Sequence, residues 1–403
     1  MSKKQNPKLP GSYSCAGCMA CGDACPKQCI SFPLGADGHW QPKIDMNRCI
    51  QCHSCERACP VLHRKKELSV QSVPYATWTN NDGIRRLSSS GGTFAQIATS
   101  FLLEGGVVIG ARIEGLDVRH ILIQEIEDLP VLQSSKYIQS DTQSIYNQAK
   151  ECLKVGKKVL FSGTGCQVAA IYNFIPEKYW NNLFTIDLIC HGVPSRYDLW
   201  RYLGMHDKRI VGIKSFRDKS WKIGYAMTCI AEDGSMIRDD NNYFYNAFNN
   251  NKSLRWSCYN CKFKTGLQRC SDITIGDFWG GEKFQEERKK GLSLCVIHTN
   301  KGRALLSKTN IVVRETSWEE CLPKNKDYFY PNNIFRYNPF RWFYPYLVRH
   351  LSDQVLNHVI GSNGNTESKK YIPLVLIDVI FQHFNYFLAK KAINKILWKV
   401  PQK

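Results

Sequence analysis

The stretch from Cys15 to Pro60 decides the fold, because it contains the same cysteine pattern twice. The first copy reads Cys15-Ala16-Gly17-Cys18-Met19-Ala20-Cys21-Gly22-Asp23-Ala24-Cys25-Pro26. The second reads Cys49-Ile50-Gln51-Cys52-His53-Ser54-Cys55-Glu56-Arg57-Ala58-Cys59-Pro60. Each cysteine of the first copy, and its proline, recurs 34 positions later.

Each copy has the spacing that holds a 4Fe–4S cluster in bacterial-type ferredoxins. Three thiolates bind one cluster, and the fourth, which precedes the proline, binds the other cluster. The sequence therefore predicts two ligand sets. The first set is Cys15, Cys18, Cys21 and Cys59, and the second set is Cys25, Cys49, Cys52 and Cys55.

Zinc and disulfides are the alternative uses of so many cysteines. Structural zinc takes four ligands, usually as two separated pairs, and disulfide frameworks belong to short secreted chains. Four cysteines within eleven residues, twice over, fit neither pattern. Cys29 is left over, and we expect it to be a buried free thiol near the clusters.

The composition is that of a globular protein of two or three domains, with 403 residues, 43% hydrophobic and 22% charged. It includes 18 cysteines. No apolar segment of a signal peptide follows the charged residues at the start. So many thiols without such a segment indicate a reducing compartment, and we expect the cytoplasm.

The net charge of +19 predicts attraction to an acidic partner. Nucleic acid, an anionic membrane surface, a phosphorylated cofactor and an acidic electron-carrier protein are all candidates. No nucleic-acid-binding motif is visible, so we do not expect nucleic acid to be the partner. A basic surface without a dedicated partner stays open.

Composition and motifs divide the chain into five segments. We expect a tail at 1–12, a ferredoxin-type domain at 13–63, a linker at 64–73, a body at 74–325 and an aromatic, basic C-terminal region at 326–403. Residues 371–400 predict a helical ending that is apolar and basic but too polar to span a membrane. It could lie on the inner face of a membrane, or equally pack on the chain or on a partner.

The body alternates between strand-like and helix-like pieces, which predicts an α/β fold. Strands are expected at 75–78, 107–113, 158–161 and 184–189. Helices are expected at 94–103, in a segment that ends at about Phe174, and in a segment that begins near Ser195. The fold class is thus an α+β dicluster module, an α/β body and a helical C-terminal extension. Gly- and Ser-rich turns at 88–93 and 163–165 could bind a phosphate at a helix N-terminus, or be ordinary tight turns.

A second cysteine group lies in the body. Cys258 and Cys261 form a CxxC pair, which needs two further ligands to hold a cluster or zinc. Cys166 and Cys190, each at a strand end before a helix, are candidates, and so is Cys270. The other body cysteines are expected to be plain buried side chains.

These motifs, in this order, resemble the coenzyme F-420 hydrogenase/dehydrogenase beta-subunit family in its bacterial form with a fused ferredoxin. They are the dicluster module, Ser-Ser-Ser-Gly-Gly-Thr, Gly-Thr-Gly-Cys-Gln, Cys-His-Gly-Val-Pro-Ser, the CxxC pair and Asp-Ile-Thr-Ile-Gly-Asp-Phe-Trp-Gly. The resemblance covers about residues 13–300. It implies FAD and a third 4Fe–4S cluster, with Cys166, Cys190, Cys258 and Cys261 as its ligands. The family usually has proline where this chain has Gly165, and Cys270 is a reserve ligand.

The predicted function is an oxidoreductase that passes electrons between a ferredoxin-like carrier and an organic substrate through 4Fe–4S clusters and FAD. His191 is a candidate proton donor, although a turn histidine bonded to backbone is the other interpretation, and Asp277 and Trp279 are candidates for the flavin or substrate face. A non-catalytic electron-transfer subunit of a redox complex and a zinc-dependent nucleic-acid binder are the alternatives. The residues expected to bind the flavin phosphates are Ser90, Gly91, Gly92, Thr93, Gly163 and Thr164.

Overall fold

The structure is a computed structural model that describes residues 5–67, 72–219, 226–239, 242–264, 267–325 and 348–349. The predicted helical ending at 371–400, and with it the predicted membrane contact, lies outside these residues. Within the described ranges, no helix combines the length and apolarity that crossing a membrane requires.

The N-terminal module repeats in structure as it does in sequence. Its elements are α1 (Ala20–Asp23), β1 (Ile30–Ser31), β2 (Lys43–Ile44) and α2 (Ser54–Arg57). Each short helix begins inside a cysteine run, after a residue with left-handed backbone: Met19 has φ 59° and His53 has φ 57°. The two strands pair antiparallel, with Ile30 opposite Ile44.

The body contains the remaining helices and strands. Its helices are α3 (Asp82–Leu87), α4 (Thr93–Leu103), α5 (Ile145–Lys154), α6 (Gly165–Phe174), α7 (Arg196–Leu203), α8 (Tyr243–Asn249), α9 (Trp256–Tyr259), α10 (Gln285–Lys290), α11 (Asn300–Ser307) and α12 (Trp318–Cys321). Short 3-10 helices span Ile126–Leu132, Glu177–Asn182 and Glu282–Phe284. Its strands are β3 (Val73–Thr79), β4 (Val107–Glu114), β5 (Asp117–Ile123), β6 (Val159–Thr164), β7 (Leu183–Leu188), β8 (Ile210–Ser215), β9 (Met227–Ala231), β10 (Met236–Asp239), β11 (Ile273–Asp277), β12 (Ser293–Ile297) and β13 (Ile311–Glu315).

An eight-stranded mixed sheet forms the centre of the body, in the order β13-β3-β12-β11-β7-β6-β4-β5. Strands β4, β6, β7 and β11 are parallel, and antiparallel strands extend the sheet on both sides. Strand β6 begins with three fully buried residues, as expected for a parallel strand covered on both faces. The four predicted strands are confirmed as β3, β4, β6 and β7, and the α/β body is confirmed as a mixed α/β domain.

A second, three-stranded antiparallel sheet was not predicted from the sequence. It has the order β10-β9-β8 and shares a hydrophobic core with α7 and α8. Its strands are four to six residues long, and their alternation is too short to stand out in the sequence.

The N-terminal module docks on the body by capping one of its helices. The Asp23 carboxylate accepts hydrogen bonds from the backbone N–H of Ser144 at 2.7 Å and of Tyr146 at 3.0 Å. These N–H groups belong to the start of α5, where a negative charge is favoured by the helix dipole. The module is therefore fixed to the body at the start of α5.

Candidate functional site

Three adjoining cavities lie in the region of the N-terminal module: two are lined by both the module and the body, and the smallest is lined by the module alone. The largest has a volume of about 640 Å³ and opens at the carboxyl ends of β6, β7 and β11. Open α/β sheets bind their ligands at this edge, and the volume falls in the range of small-molecule sites. The other two cavities are smaller, and cysteines line both of them.

A cavity of about 120 Å³ is lined by four cysteines of the body. Cys166 is in the first turn of α6 and Cys190 follows β7, so the two thiols come from neighbouring strand ends. Cys258 is in α9, and Cys261 follows it. The structure thus brings together the four residues that the family resemblance implied as ligands of a third cluster.

Burial and repulsion between neighbouring thiolates raise the pKa of Cys166, Cys190 and Cys258. Burial is the larger cause for Cys166 and Cys190, and the charges of Cys258 and Cys261 add to it for both. The Lys264 ammonium partly offsets this effect at Cys190, and it donates a hydrogen bond of 2.8 Å to the Cys190 carbonyl. Thiolates that repel one another in a buried cavity are stabilised by a positively charged group bound among them.

Cys270, the reserve ligand, does not line this cavity. It lies in the hydrophobic core beside α6, and burial followed by the charge of Asp187 raises its pKa to about 12. The thiol therefore has the surroundings of a plain core cysteine.

The first predicted ligand set lines the third cavity, of about 20 Å³. Its four members are all buried. Burial raises the pKa of Cys18 well above its ordinary value, and the charges of the other three add to the increase. The members of this set are Cys15, Cys18, Cys21 and Cys59.

The second predicted set also lies together. Burial raises the pKa of Cys55 to about 11, and the charge of Cys25 contributes to the increase. The Sγ atoms of Cys25 and Cys29 are 3.3 Å apart. Burial, contact with Cys25 and the charge of Cys49 raise the pKa of Cys29, which is buried beside this set as expected.

None of these sets has the geometry of a site for one metal ion. Within the part of the chain that the structure describes, no three Cys, His, Asp or Glu side chains converge on a point that could hold an ion. Four thiolates around one zinc ion would lie about 3.8 Å apart, given Zn–S bonds of about 2.3 Å. The thiols of the first and third sets instead line cavities, as ligands of a multi-atom group must.

One residue forms a wall common to all three cavities. Ala16, in the first cysteine run, lines each of them. Cys166 and Cys190 line both the large cavity and the 120 Å³ cavity. The large cavity is thus separated from two cysteine sets by single layers of side chains.

The Ser- and Gly-rich turn before α4 lies at the large cavity, with one exception. Ser90, Gly92 and Thr93 line the cavity, and Gly91 does not. A Cβ atom on Gly91 would lie 2.4 Å from the Thr77 carbonyl oxygen, and its N–H donates to the Ser293 hydroxyl. Gly91 is therefore required for the packing of the turn on β3 and β12, and it does not face the cavity.

The N-terminus of α4 can bind an anion. Among the described residues, none accepts a hydrogen bond from the backbone N–H of Thr93, Phe94 or Ala95. Thr93 and Phe94 line the cavity, so these groups can serve a negatively charged ligand. The Oδ1 atom of Asn251, which also lines the cavity, is buried without a hydrogen-bond partner in the described ranges.

Gly163 and Thr164 also line the large cavity, at the start of α6. Here the Gln167 side chain caps the helix, because its Oε1 accepts the Thr164 N–H at 2.9 Å. This turn therefore has fewer free donors than the turn before α4. Its Thr164 hydroxyl lies 3.1 Å from the Cys166 sulfur, next to the third cysteine set.

His191, Asp277 and Trp279 line the large cavity as predicted. The His191 ring contacts the Phe248 ring edge-on, and its Nε2 lies 3.3 Å from the Phe248 carbonyl oxygen. This is the backbone-bonded geometry of the alternative interpretation. Asp277 forms an ion pair of 2.5 Å with Arg217, which lies over the Trp279 ring.

Sequence reasoning missed several titratable residues in the cavity wall, among them Lys136 and His120. The Lys136 ammonium donates to the carbonyls of Val131, Leu132 and Gln133, and burial lowers its pKa to about 7. Burial also lowers the pKa of His120 to about 4, so its neutral ring donates to the Ser162 carbonyl. Lys136 belongs to an ordinary polar loop and His120 to an edge strand. Neither kind of segment has a sequence pattern that indicates a site.

Two sequence families match this chain. Residues 14–62 match the 4Fe-4S dicluster domain, and residues 156–317 match the family described as the C terminus of the "Coenzyme F420 hydrogenase/dehydrogenase, beta subunit". The second match includes all four cysteines of the 120 Å³ cavity, and the first includes both sets of the N-terminal module.

Two individual proteins are similar to parts of the chain. NADH-quinone oxidoreductase subunit I 2 of Symbiobacterium thermophilum is 39% identical over 56 residues, which are 12% of this chain and 23% of that protein. The chain thus spans less than a quarter of that relative. A chain of the F420-reducing [NiFe] hydrogenase complex from Methanosarcina barkeri is 17% identical, with a TM-score of 0.44, over 65% of this chain and 91% of the other.

The predicted family is confirmed over two segments: residues 14–62 match a 4Fe-4S dicluster domain, and residues 156–317 match the C terminus of the coenzyme F420 hydrogenase/dehydrogenase beta subunit.

Proposed function

We propose that this protein is an iron–sulfur flavoprotein oxidoreductase that passes electrons between a ferredoxin-like carrier and an organic substrate, with FAD in the large cavity. The observation that carries the proposal is the shared wall. Ala16 lies between the large cavity and the cavity of the first cysteine set, and Cys166 and Cys190 of the third set line the large cavity themselves. A redox ligand in this cavity would be close to both sets.

Three cysteine sets would hold three 4Fe–4S clusters. When bound, the clusters supply one-electron transfer, and FAD supplies the exchange between one-electron and two-electron transfer. The residues would contribute deprotonated thiols, and burial shields the first set from water, whereas the thiols of the third set are half-buried. The proposed ligands are Cys15, Cys18, Cys21, Cys59; Cys25, Cys49, Cys52, Cys55; and Cys166, Cys190, Cys258, Cys261.

The large cavity suits a ligand that carries phosphates. Its free N–H groups at the start of α4 favour negative charge, and so does the half-buried Lys136 side chain when it is protonated. We propose that Ser90, Gly92 and Thr93 bind the FAD phosphates, and that Gly163 and Thr164 contact the flavin near the third cysteine set. Gly91 supports this turn from behind.

His191 and Asp277 remain proposed contributors at the flavin or substrate face. His191 can hold a proton at the ring nitrogen that does not contact Phe248. Asp277 holds Arg217 beside Trp279, so its proposed role is to orient a cation at the cavity. The substrate is not specified by these residues.

The rival function is a non-catalytic electron-transfer subunit of a larger redox complex. The names of the matching family and of the Symbiobacterium relative, a beta subunit and a subunit I, favour it. Both functions predict the same cofactors, a cytoplasmic location and an acidic redox partner. Turnover of an organic substrate by the isolated chain would support the oxidoreductase, and turnover only after a partner subunit is added would support the rival.

Cofactor content tests the common part of both proposals. Anaerobically purified protein should contain about twelve irons and one FAD per chain, which corresponds to three clusters. A Cys166→Ala/Cys190→Ala variant should lose about four irons, and the matched Cys270→Ala variant should lose none. Zinc without iron would overturn the proposal in favour of a zinc protein. Iron loss in the Cys270 variant equal to that in the double variant would overturn the third ligand set.

A further inference from the structure

The two cysteine sets of the dicluster domain differ in what covers them. The body covers the first set: the Cys15 carbonyl accepts from Arg255, and the Cys18 carbonyl accepts from Thr142 and Tyr146. The second set is more open. All four cysteines of the first set are buried, whereas Cys25, Cys49 and Cys52 of the second are partly exposed.

Two large apolar side chains are exposed next to the second set. Ile50, between Cys49 and Cys52, is 48% exposed, and Met46 is 41% exposed. Both belong to the loop that carries the second cysteine run. Exposed apolar residues beside a redox centre are what a docking partner would cover.

Basic side chains flank these apolar residues. Lys27, Arg48 and Arg57 are exposed, and Arg48 and Arg57 donate to the carbonyls of Lys27 and Cys52. In the described part of the chain, no carboxylate lies within ion-pair distance of any of the three. Their positive charges are therefore available to a partner.

Acidic groups on this side are few. Asp45 is exposed and accepts the N–H of Asn47. Glu56 is occupied by His53, at 2.5 Å, and by the backbone N–H of Lys8. With Glu56 counted as well as Asp45, three cations face two carboxylates, which leaves this surface with a net positive charge.

We propose that this surface, formed by Lys27, Met46, Arg48, Ile50 and Arg57, is the docking site for an acidic one-electron carrier protein of the ferredoxin type. An apolar centre with a charged rim is the usual composition of such interfaces, and the net charge of +19 would steer an acidic protein toward it. The inference rests on the proposed function, because only a redox protein needs such a partner. The proposed docking site adds that the carrier meets the second cysteine set and that these five residues bind it.

Binding of an acidic ferredoxin tests the assignment without any electron transfer. The probe is an oxidised plant-type 2Fe–2S ferredoxin, labelled with a fluorophore and titrated with the oxidised holoprotein in an anisotropy measurement. Lys27→Glu/Arg48→Glu should weaken binding about tenfold at low ionic strength. The difference should shrink in about 1 M salt, where the Debye length is about 3 Å.

Arg86→Glu/Lys214→Glu is the matched control, because it makes the same charge change at two exposed sites on α3 and β8. It should weaken binding less than twofold. A basic carrier, cytochrome c, should show the opposite order and bind the Lys27/Arg48 variant more tightly. Equal weakening by both double variants, or no weakening by the first, would overturn the proposed surface.

Iron and flavin are measured on the same samples. Full cofactor content with unchanged ferredoxin affinity would reject the docking site and leave the proposed function intact. Wild-type protein without iron or flavin would reject the proposed function itself.

Discussion

Arg255 donates a hydrogen bond of 3.0 Å to the backbone carbonyl of Cys15, across 240 residues of chain. The same guanidinium donates to the Trp40 carbonyl at 2.6 Å and to Gln139 Oε1 at 2.9 Å. The side chain is fully buried. One residue of the body thus holds the first cysteine loop and the loop at Trp40 in place. The first cysteine loop contains Ala16, which separates the first cysteine set from the large cavity.

Replacing Arg255 with Met should destabilise the protein by at least about 3 kcal/mol. The substitution leaves two buried acceptors and the partly buried Trp40 carbonyl without their donor, and each costs about 1–3 kcal/mol. We also expect iron to be lost first from the set that contains Cys15. Thermal unfolding and iron analysis under anaerobic conditions measure the two effects. The control is Arg209→Met, at an exposed arginine, and equal melting temperatures for the two variants would contradict the role given to Arg255.

A side chain at Gly17 should destabilise the protein through backbone strain and, in addition, through a clash with neighbouring side chains. Gly17 and Gly105 have nearly the same left-handed conformation, with φ +72° and +76°. A Cβ atom on Gly17 would lie 2.6 Å from Arg255 Nη2 and Gln139 Nε2, whereas one on Gly105 would meet nothing within 4 Å. Alanine at either position costs about 1–2 kcal/mol of backbone strain.

We therefore expect Gly105→Ala to show only this common cost, and Gly17→Ala to lose at least about 1 kcal/mol more because the clash displaces buried hydrogen bonds. Denaturant unfolding of both variants gives the difference. Equal losses would mean that Arg255 and Gln139 move aside freely, and the tight contact between module and body would then be wrong.

The ion pair between Arg217 and Asp277 should stabilise the wall of the large cavity. The Arg217 side chain is 4% exposed and the Asp277 side chain 20% exposed. Asp277→Asn leaves a buried guanidinium without its carboxylate, which should cost about 3 kcal/mol. Asp233→Asn, which breaks the exposed pair with Lys208, should leave the melting temperature unchanged. Equal changes in melting temperature for the two variants would show that the buried ion pair of Arg217 does not stabilise the protein more than an exposed pair does.

The sequence predicts best what local spacing determines. The cysteine sets of the module follow from a repeat within 46 residues, and Cys166 and Cys190 were recognised because strand-end turns before helices have local signals. Arg255 and Lys136 were missed because their contacts join distant or irregular segments. Gly91 was assigned to a ligand because a Gly-rich turn looks the same whether it faces a cavity or packs on a strand, and the difference arises only from Thr77 and Ser293.

The strands show the same division. The parallel strands alternate with helices, which gives a sequence signal, and they were predicted, apart from β11. Strands β5, β12 and β13 join the sheet antiparallel, through pairings that the alternation of strands and helices does not reveal. The flavin assignment also depended on the family resemblance, because a turn of this composition has no unique ligand.

Lys136 should make stability depend on pH between about 7 and 10. Burial lowers its pKa in the folded protein to about 7, whereas an unfolded lysine titrates near 10.4. In this window the unfolded chain binds a proton that the folded protein has lost, so stability rises with pH. Protonation of Lys136 destabilises the folded protein relative to the unfolded chain. This destabilisation is absent above the unfolded pKa, and it reaches its full size once the pH has fallen below about 7.

Lys136→Met removes this titration. The stability of wild type relative to the variant should therefore increase between pH 7 and 9 by up to about 1.4 kcal/mol per pH unit. Thiols titrate in the same range, but they are common to both proteins and cancel in the difference. Anaerobic urea unfolding at half-unit pH steps gives the two profiles, and Lys214→Met, at an exposed lysine of β8, controls for the loss of a lysine as such. Parallel profiles for wild type and Lys136→Met would show that the ammonium stays hydrated, which would contradict the burial that lowers its pKa.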